Sequence, residues 1–238
     1  MAERPALLLL PGMMCDYAAW QAQIDGLADL CSPRLVDFRD ADSIEAMADI
    51  ALSQAPARFA LAGHSMGGRV AQAVYRLAPE RISHLALLAT DFRAPLDEAE
   101  RAAEAARRDG MLSLVGSIGL DAFARNWTRQ VVAPSRLDDE PLLLAVAEMM
   151  MRHTPAQLAA QTLAGLTRPD FADLLPTISC PTLLIAGAKD TLRPVETLRG
   201  MASRIPHAKL LVFEDCGHMI AMEHPQQTTD AMRAWLAA

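Results

Sequence analysis

Residues 62–68 read AGHSMGG and follow the apolar stretch Phe59-Ala60-Leu61 without a break. A serine in an ordinary loop needs no glycines around it. One held in a sharp turn between a strand and a helix does, because only residues without a side chain let the two elements approach each other. Gly63-His64-Ser65-Met66-Gly67 is a G-x-S-x-G pentapeptide, and Gly68 extends the clearance. The residues that follow, GGRVAQAVYRLAPE (67–80), repeat their apolar positions with helical spacing. The stretch therefore predicts a strand, a strained elbow and a helix, with the Ser65 hydroxyl raised above the C-terminal edge of a sheet.

Outward from this elbow, short continuous apolar runs recur at residues 6–12, 33–38, 58–63, 84–90, 181–187 and 209–215. Continuous rather than alternating apolar character means that both faces of each strand are covered, as in a parallel sheet with helices on either side. Helical patterns lie between the runs, at 43–54, 67–80, 195–205 and 225–236. The expected fold class is α/β, a doubly wound, mostly parallel sheet. Residues 92–175 break the rhythm, because they hold helical patterns and no strand-like run. So long an excursion reads as an inserted helical cap, with residues 1–91 and 176–238 forming the core.

The chain has 238 residues, 52% of them hydrophobic and 21% charged, which excludes a disordered segment. Its formal net charge of −7 argues against nucleic acid as a partner, since phosphate recognition needs a basic face. PALLLLPGMM (5–14) is too short for a membrane span and lacks a small-residue cleavage site, so it reads as a strand, and a cytoplasmic location is expected. Cys15, Cys31, Cys180 and Cys216 show neither C-x-x-C nor C-x-x-H spacing. Reduced thiols, no metal and no cofactor are the expectations.

A serine hydroxyl is a weak nucleophile at neutral pH and needs a general base, which in turn needs an orienting acid. His218 stands just past the last apolar run, in CGHMIAMEHP, and Asp190 follows another, in GAKDTLRP. Both fall where a parallel sheet gathers its ligand-binding loops. Asp91, at the end of HLALLAT, and Asp215, placed by the pattern still on its strand, remain alternatives for the acid.

GHSMGG, GAKDTLRP and CGHMIAMEHP together resemble the α/β-hydrolase family, in particular its single-domain branch with a helical cap, and the resemblance covers nearly the whole chain. That branch includes carboxylesterases, enol-lactone hydrolases, iminopeptidase-like enzymes and perhydrolases. The resemblance implies Ser65 as nucleophile, Asp190 as orienting acid and His218 as base. It implies an oxyanion hole from the main-chain N–H of Met66 and of Met13, in the PGMMCD turn where relatives often carry His-Gly. Met14 is an alternative to Met13 for that donor, and Asp16 is expected to cap the next helix.

The implied activity is hydrolysis of a small or medium carboxylic ester or lactone through an acyl-enzyme. Lyase or perhydrolase chemistry, or a small-molecule receptor, are the alternatives. A polyanion-binding lyase would draw on arginines such as Arg39, Arg69 and Arg93. Met14, Trp127, Met150 and Met219 are the expected substrate contacts, methionine being pliable enough for irregular apolar ligands. His64 reads as a packing residue, His153 as a surface residue of the cap, and His84, His207 and His224 as turn or helix-end residues. Met149, Met150 and Met151 are consecutive and so cannot share one helical face. Gly110, Gly116 and Gly119 are hinges or ordinary helix ends. Oligomeric state is not legible.

Overall fold

The computed structural model describes residues 4–238; residues 1–3, at the start of the expected core, lie outside the described residues. Six strands, β1 (Ala6–Leu10), β2 (Ser32–Leu35), β3 (Phe59–His64), β4 (Ile82–Leu88), β5 (Thr182–Gly187) and β6 (Lys209–Phe213), form one sheet in the order β2-β1-β3-β4-β5-β6. Every neighbouring pair is parallel. The chain moves outward from β1 in one direction and then in the other, so the sheet is doubly wound as its apolar runs imply. β2 ends at Leu35, and Val36 to Phe38, expected as strand, continue as coil with Val36 and Phe38 buried and Asp37 exposed.

Helices α1 (Gln21–Leu27), α2 (Ile44–Gln54), α3 (Met66–Leu77), α8 (Val195–Ala202), α9 (Ile220–Glu223) and α10 (Pro225–Leu236) cover the two faces. β1 shows how the period of two builds the layers. Ala6, Leu8 and Leu10 enter the core shared with α2, α3 and α8, whereas Leu7 and Leu9 join Trp20, Leu27, Met232 and Trp235 on the opposite face. Burying each such leucine contributes roughly 1.5–3 kcal/mol, which is why a five-residue strand with no polar side chain is buried along its whole length between β2 and β3.

Between β4 and β5 the chain forms α4 (Glu98–Ile118), α5 (Leu120–Val131), α6 (Glu140–Met151) and α7 (Pro155–Leu166), which share their own apolar cluster. Local signals set their ends. Asp97 caps α4 through Glu100 N–H, and Thr154 with Gln157 forms a reciprocal capping box ahead of Pro155 at the start of α7. Met149 packs into the sheet-side core, Met150 turns into the helical cluster, and Met151 is half-buried. Gly110 and Gly116 lie inside α4, whereas Gly119, with φ +82°, forms its junction with α5.

Candidate active site

Ser65 lies between β3 and α3 with φ 52° and ψ −114°, a conformation that side chains rarely adopt. The surroundings over-determine this strain. The Ser65 N–H donates to Leu88 O at 2.9 Å, and its own carbonyl accepts from Thr90 Oγ1 at 2.7 Å. Gly63 and Gly67 are there because nothing larger fits. A Cβ on Gly63 would stand 2.3 Å from Gly67 O, and one on Gly67 would stand 2.1 Å from Leu10 O.

The ends of β5 and β6 bring the other two residues to the same edge. His218 Nε2 is 2.9 Å from Ser65 Oγ, and His218 Nδ1 is 2.7 Å from Asp190 Oδ2. Asp190 Oδ1 accepts the N–H groups of Leu192 at 2.8 Å and Arg193 at 2.9 Å, so the carboxylate is held on both oxygens. Burial alone raises its pKa, but the charge of His218 and these hydrogen bonds bring the carboxyl below its usual range. Asp190 is therefore ionised and aimed at the imidazole.

The two alternative acids are occupied elsewhere. Asp91 accepts both Nε and Nη2 of Arg69 and lies 3.1 Å from Arg193 Nε, while Asp215, just past the last residue of β6, accepts from Ser135 Oγ at 2.6 Å. His64 is a packing residue with a defined partner: Nε2 donates to His218 O at 2.9 Å. Burial and the neighbouring His218 push its pKa down to about 3, so the ring stays neutral. Burial pushes the Cys15 thiol up to about 12, which leaves it protonated and inert on the cavity wall.

Met66 opens α3, so its N–H has no acceptor within the helix. In the turn after β1 the two methionines differ. Met14 N–H donates to Gln161 Oε1 at 2.8 Å, whereas Met13 N–H has no acceptor among the described residues. Asp16 does not cap α1 directly; it caps a single 3-10 turn, Tyr17–Ala19, through Ala18 N–H.

Ser65 and His218 open into a cavity of about 570 Å³ bordered by Met13, Met66, Trp127, Met150 and Met219. Met14, expected as a substrate contact, is not on its wall. It is fully buried, because its positive φ of 57° and the Gln161 bond turn its side chain into the cluster with Met111 and Phe123. Arg69 borders the cavity, but Arg39 and Arg93 do not. His153 is half-buried rather than on the surface and also lies off the wall. His84 lies within β4 rather than at a turn or helix end and packs edge-on against Trp235, His207 occupies a turn with φ 60°, and His224 donates to Asp215 O at 2.7 Å.

The motifs did not signal Glu223. This buried carboxylate accepts three main-chain N–H groups, from Ala133 at 2.7 Å, Gly217 at 3.0 Å and Met219 at 3.0 Å. His218 N–H donates to Val131 O at 2.7 Å alongside. The loop carrying His218 is thus tied to the end of α5. Gln161 and the cavity arginines beyond Arg69 were missed as well.

A family model for the alpha/beta hydrolase fold matches residues 25–225. The chain belongs to the α/β-hydrolase fold family. It is 31% identical to a pimeloyl-[acyl-carrier protein] methyl ester esterase of Aromatoleum aromaticum, over 94% of this chain and 95% of that protein. It is 26% identical to 3-oxoadipate enol-lactonase 2 of Acinetobacter baylyi, over 98% of this chain and 89% of that protein. A malate-bound thermophilic esterase from Thermogutta terrifontis superposes with a TM-score of 0.83 at 30% identity, covering 99% of this chain and 90% of that one. The four cysteines are free thiols, and no described helix is long and apolar enough to cross a membrane. Among the described residues no group of histidine, cysteine, aspartate or glutamate is arranged to hold a metal ion.

Proposed function

We propose that this chain is a serine hydrolase acting on a small or medium carboxylic ester or lactone. The observation that carries the reading is the continuous hydrogen-bonded relay from Asp190 through His218 to Ser65 Oγ, opening into a cavity. Relatives that are an ester esterase and an enol-lactonase support the same class of substrate. In this reading α4 to α7 act as the cap over a core of residues 1–91 and 176–238.

Ser65 Oγ attacks the substrate carbonyl while its proton passes to His218 Nε2. Asp190 keeps the Nδ1 proton in place and stabilises the imidazolium. Negative charge on the tetrahedral oxygen is met by the N–H groups of Met66 and Met13, each such donor contributing about 3–4 kcal/mol. His218 then protonates the leaving alkoxide, and water activated by the same ring frees the acyl group from Ser65.

The test is turnover of a p-nitrophenyl ester series, acetate to decanoate, by wild type and Ser65→Ala, with fluorophosphonate labelling alongside. Turnover and labelling that disappear together in the variant establish the acyl-enzyme. Labelling without turnover leaves Ser65 activated and points to elimination or perhydrolysis on the same relay. Absence of both defeats the reading.

A further inference from the structure

Besides the methionines, the cavity wall carries a basic set of side chains. Arg69, Arg107, Arg108, Arg168 and Arg193 border it, against two carboxylates, Asp91 and Glu104. With His64 neutral, the wall carries an excess of positive charge although the whole chain is acidic at −7.

The carboxylates do not neutralise what surrounds them. Asp91 is shared by Arg69 and Arg193, and Glu104 is taken by Arg168 Nη1 at 2.8 Å. Arg108 is left with long contacts only, Glu104 Oε1 and Met13 Sδ, each at 3.4 Å. Arg107, exposed on α4, has no acidic partner among the described residues. Arg193 keeps Nη2 unused, its Nη1 donating to Leu192 O at 2.6 Å.

Packing like charges together in a half-enclosed space costs both desolvation and repulsion. Burial and the nearby Arg193 and Arg168 lower the pKa of Arg108 and of Arg69, the latter to about 10. A resident anion offsets that cost. A guanidinium fork with unused donors is the group that binds a planar carboxylate on two oxygens at once. The placement also suits the reaction. Arg108 touches Met13, the turn that supplies an oxyanion donor in the reading above, and Arg193 lies three residues past Asp190.

Resting on that hydrolase reading and deepening it, we infer that the substrate is an ester or lactone that also carries a carboxylate. Arg108 and Arg193 hold this anion while Ser65 attacks the carbonyl.

The experiment compares mono-p-nitrophenyl adipate with its ω-methyl ester, which has the same chain without the charge. Wild type is expected to favour the anionic ester in kcat/KM by about tenfold or more, through KM and with loss at high salt. In Arg108→Gln the ratio between the two esters falls towards one. Arg108→Lys, which keeps the charge but not the fork, falls between them and serves if the glutamine variant does not fold. Equal use of both esters by wild type, or a preference that survives Arg108→Gln, overturns the inference. Adipate binding to Ser65→Ala, followed as a rise in Tm, separates the two ideas. A rise that Arg108→Gln removes upholds the anion site even if no ester is turned over, and no rise overturns it whatever becomes of the hydrolase reading.

Discussion

Glu223 grips the backbone on both sides of His218, taking the N–H of Gly217 on Oε2 and that of Met219 on Oε1, each at 3.0 Å. Oε2 also holds Ala133 N–H, so one carboxylate fixes the histidine loop to the end of α5. Glu223→Gln keeps the shape but replaces one acceptor oxygen with an N–H₂ group that faces donors. Leaving such buried N–H groups unpaired costs about 1–3 kcal/mol, and His218 loses its fixed approach to Ser65. The variant is expected to lower kcat roughly tenfold or more with less change in KM, because a small misplacement of a catalytic group acts on the chemical step. Stopped-flow acylation and urea unfolding measure the two effects. Loss of stability with an intact acylation rate would reduce Glu223 to a purely structural role.

Asp190 and Asp91 both follow strands, and their partners separate them. Asp190 faces His218, whereas Asp91 is committed to Arg69 and Arg193. Asp190→Asn is expected to cut kcat by about 10³–10⁴, since the imidazole then takes the wrong tautomer. Asp91→Asn strands the buried Arg69 guanidinium and is expected to cost about 3 kcal/mol of stability while fluorophosphonate labelling of Ser65 persists. Labelling lost in Asp91→Asn and retained in Asp190→Asn would reverse the assignment.

His64 sets a pH dependence of stability. Its folded pKa, about 3, lies below the ordinary 6.5, so between these values the unfolded chain binds a proton that the native state does not. The sign follows: stability falls as pH drops from 6.5 towards 3, by about 1.4 kcal/mol per unit for the one proton. His64→Gln keeps a donor for the His218 carbonyl and removes the titration. Urea midpoints across this range are expected to decline less steeply in the variant than in wild type. Parallel declines would show that other groups carry the acid sensitivity.

Sheet and elbow were legible because their causes are local. Unbroken apolar runs mark strands covered on both faces, and Gly63 and Gly67 announce the close approach that their backbone neighbours later show. Asp190 and His218 could be located because each follows such a run, and a parallel sheet brings these ends together. Glu223 and Arg108 were not legible in this way. Three donors converge on Glu223 from Ala133, just past α5, and from the loop on either side of His218, and Arg108 borders the cavity only through the packing of α4 over the turn at Met13. No spacing along the chain encodes those meetings. Met14 misled because neighbouring residues in a turn point in different directions, and the turn sends its side chain inward.

The interior glycines of α4 offer the opposite case to those of the elbow. A Cβ added to Gly116 meets nothing within 4 Å, and the residue sits inside a 21-residue helix rather than at its end. Gly116→Ala therefore brings no clash and reduces the freedom of the unfolded chain, for a gain of about 0.5–1 kcal/mol. Gly67→Ala drives its Cβ onto Leu10 O at 2.1 Å, and the chain is expected not to fold around the elbow. Thermal unfolding and kcat measured together decide what Gly116 is for. A higher Tm with unchanged kcat marks it as an unoptimised helix position. A higher Tm with a slower kcat would mean that α4 must bend at Gly116 during turnover, giving this glycine the hinge role that the sequence left open.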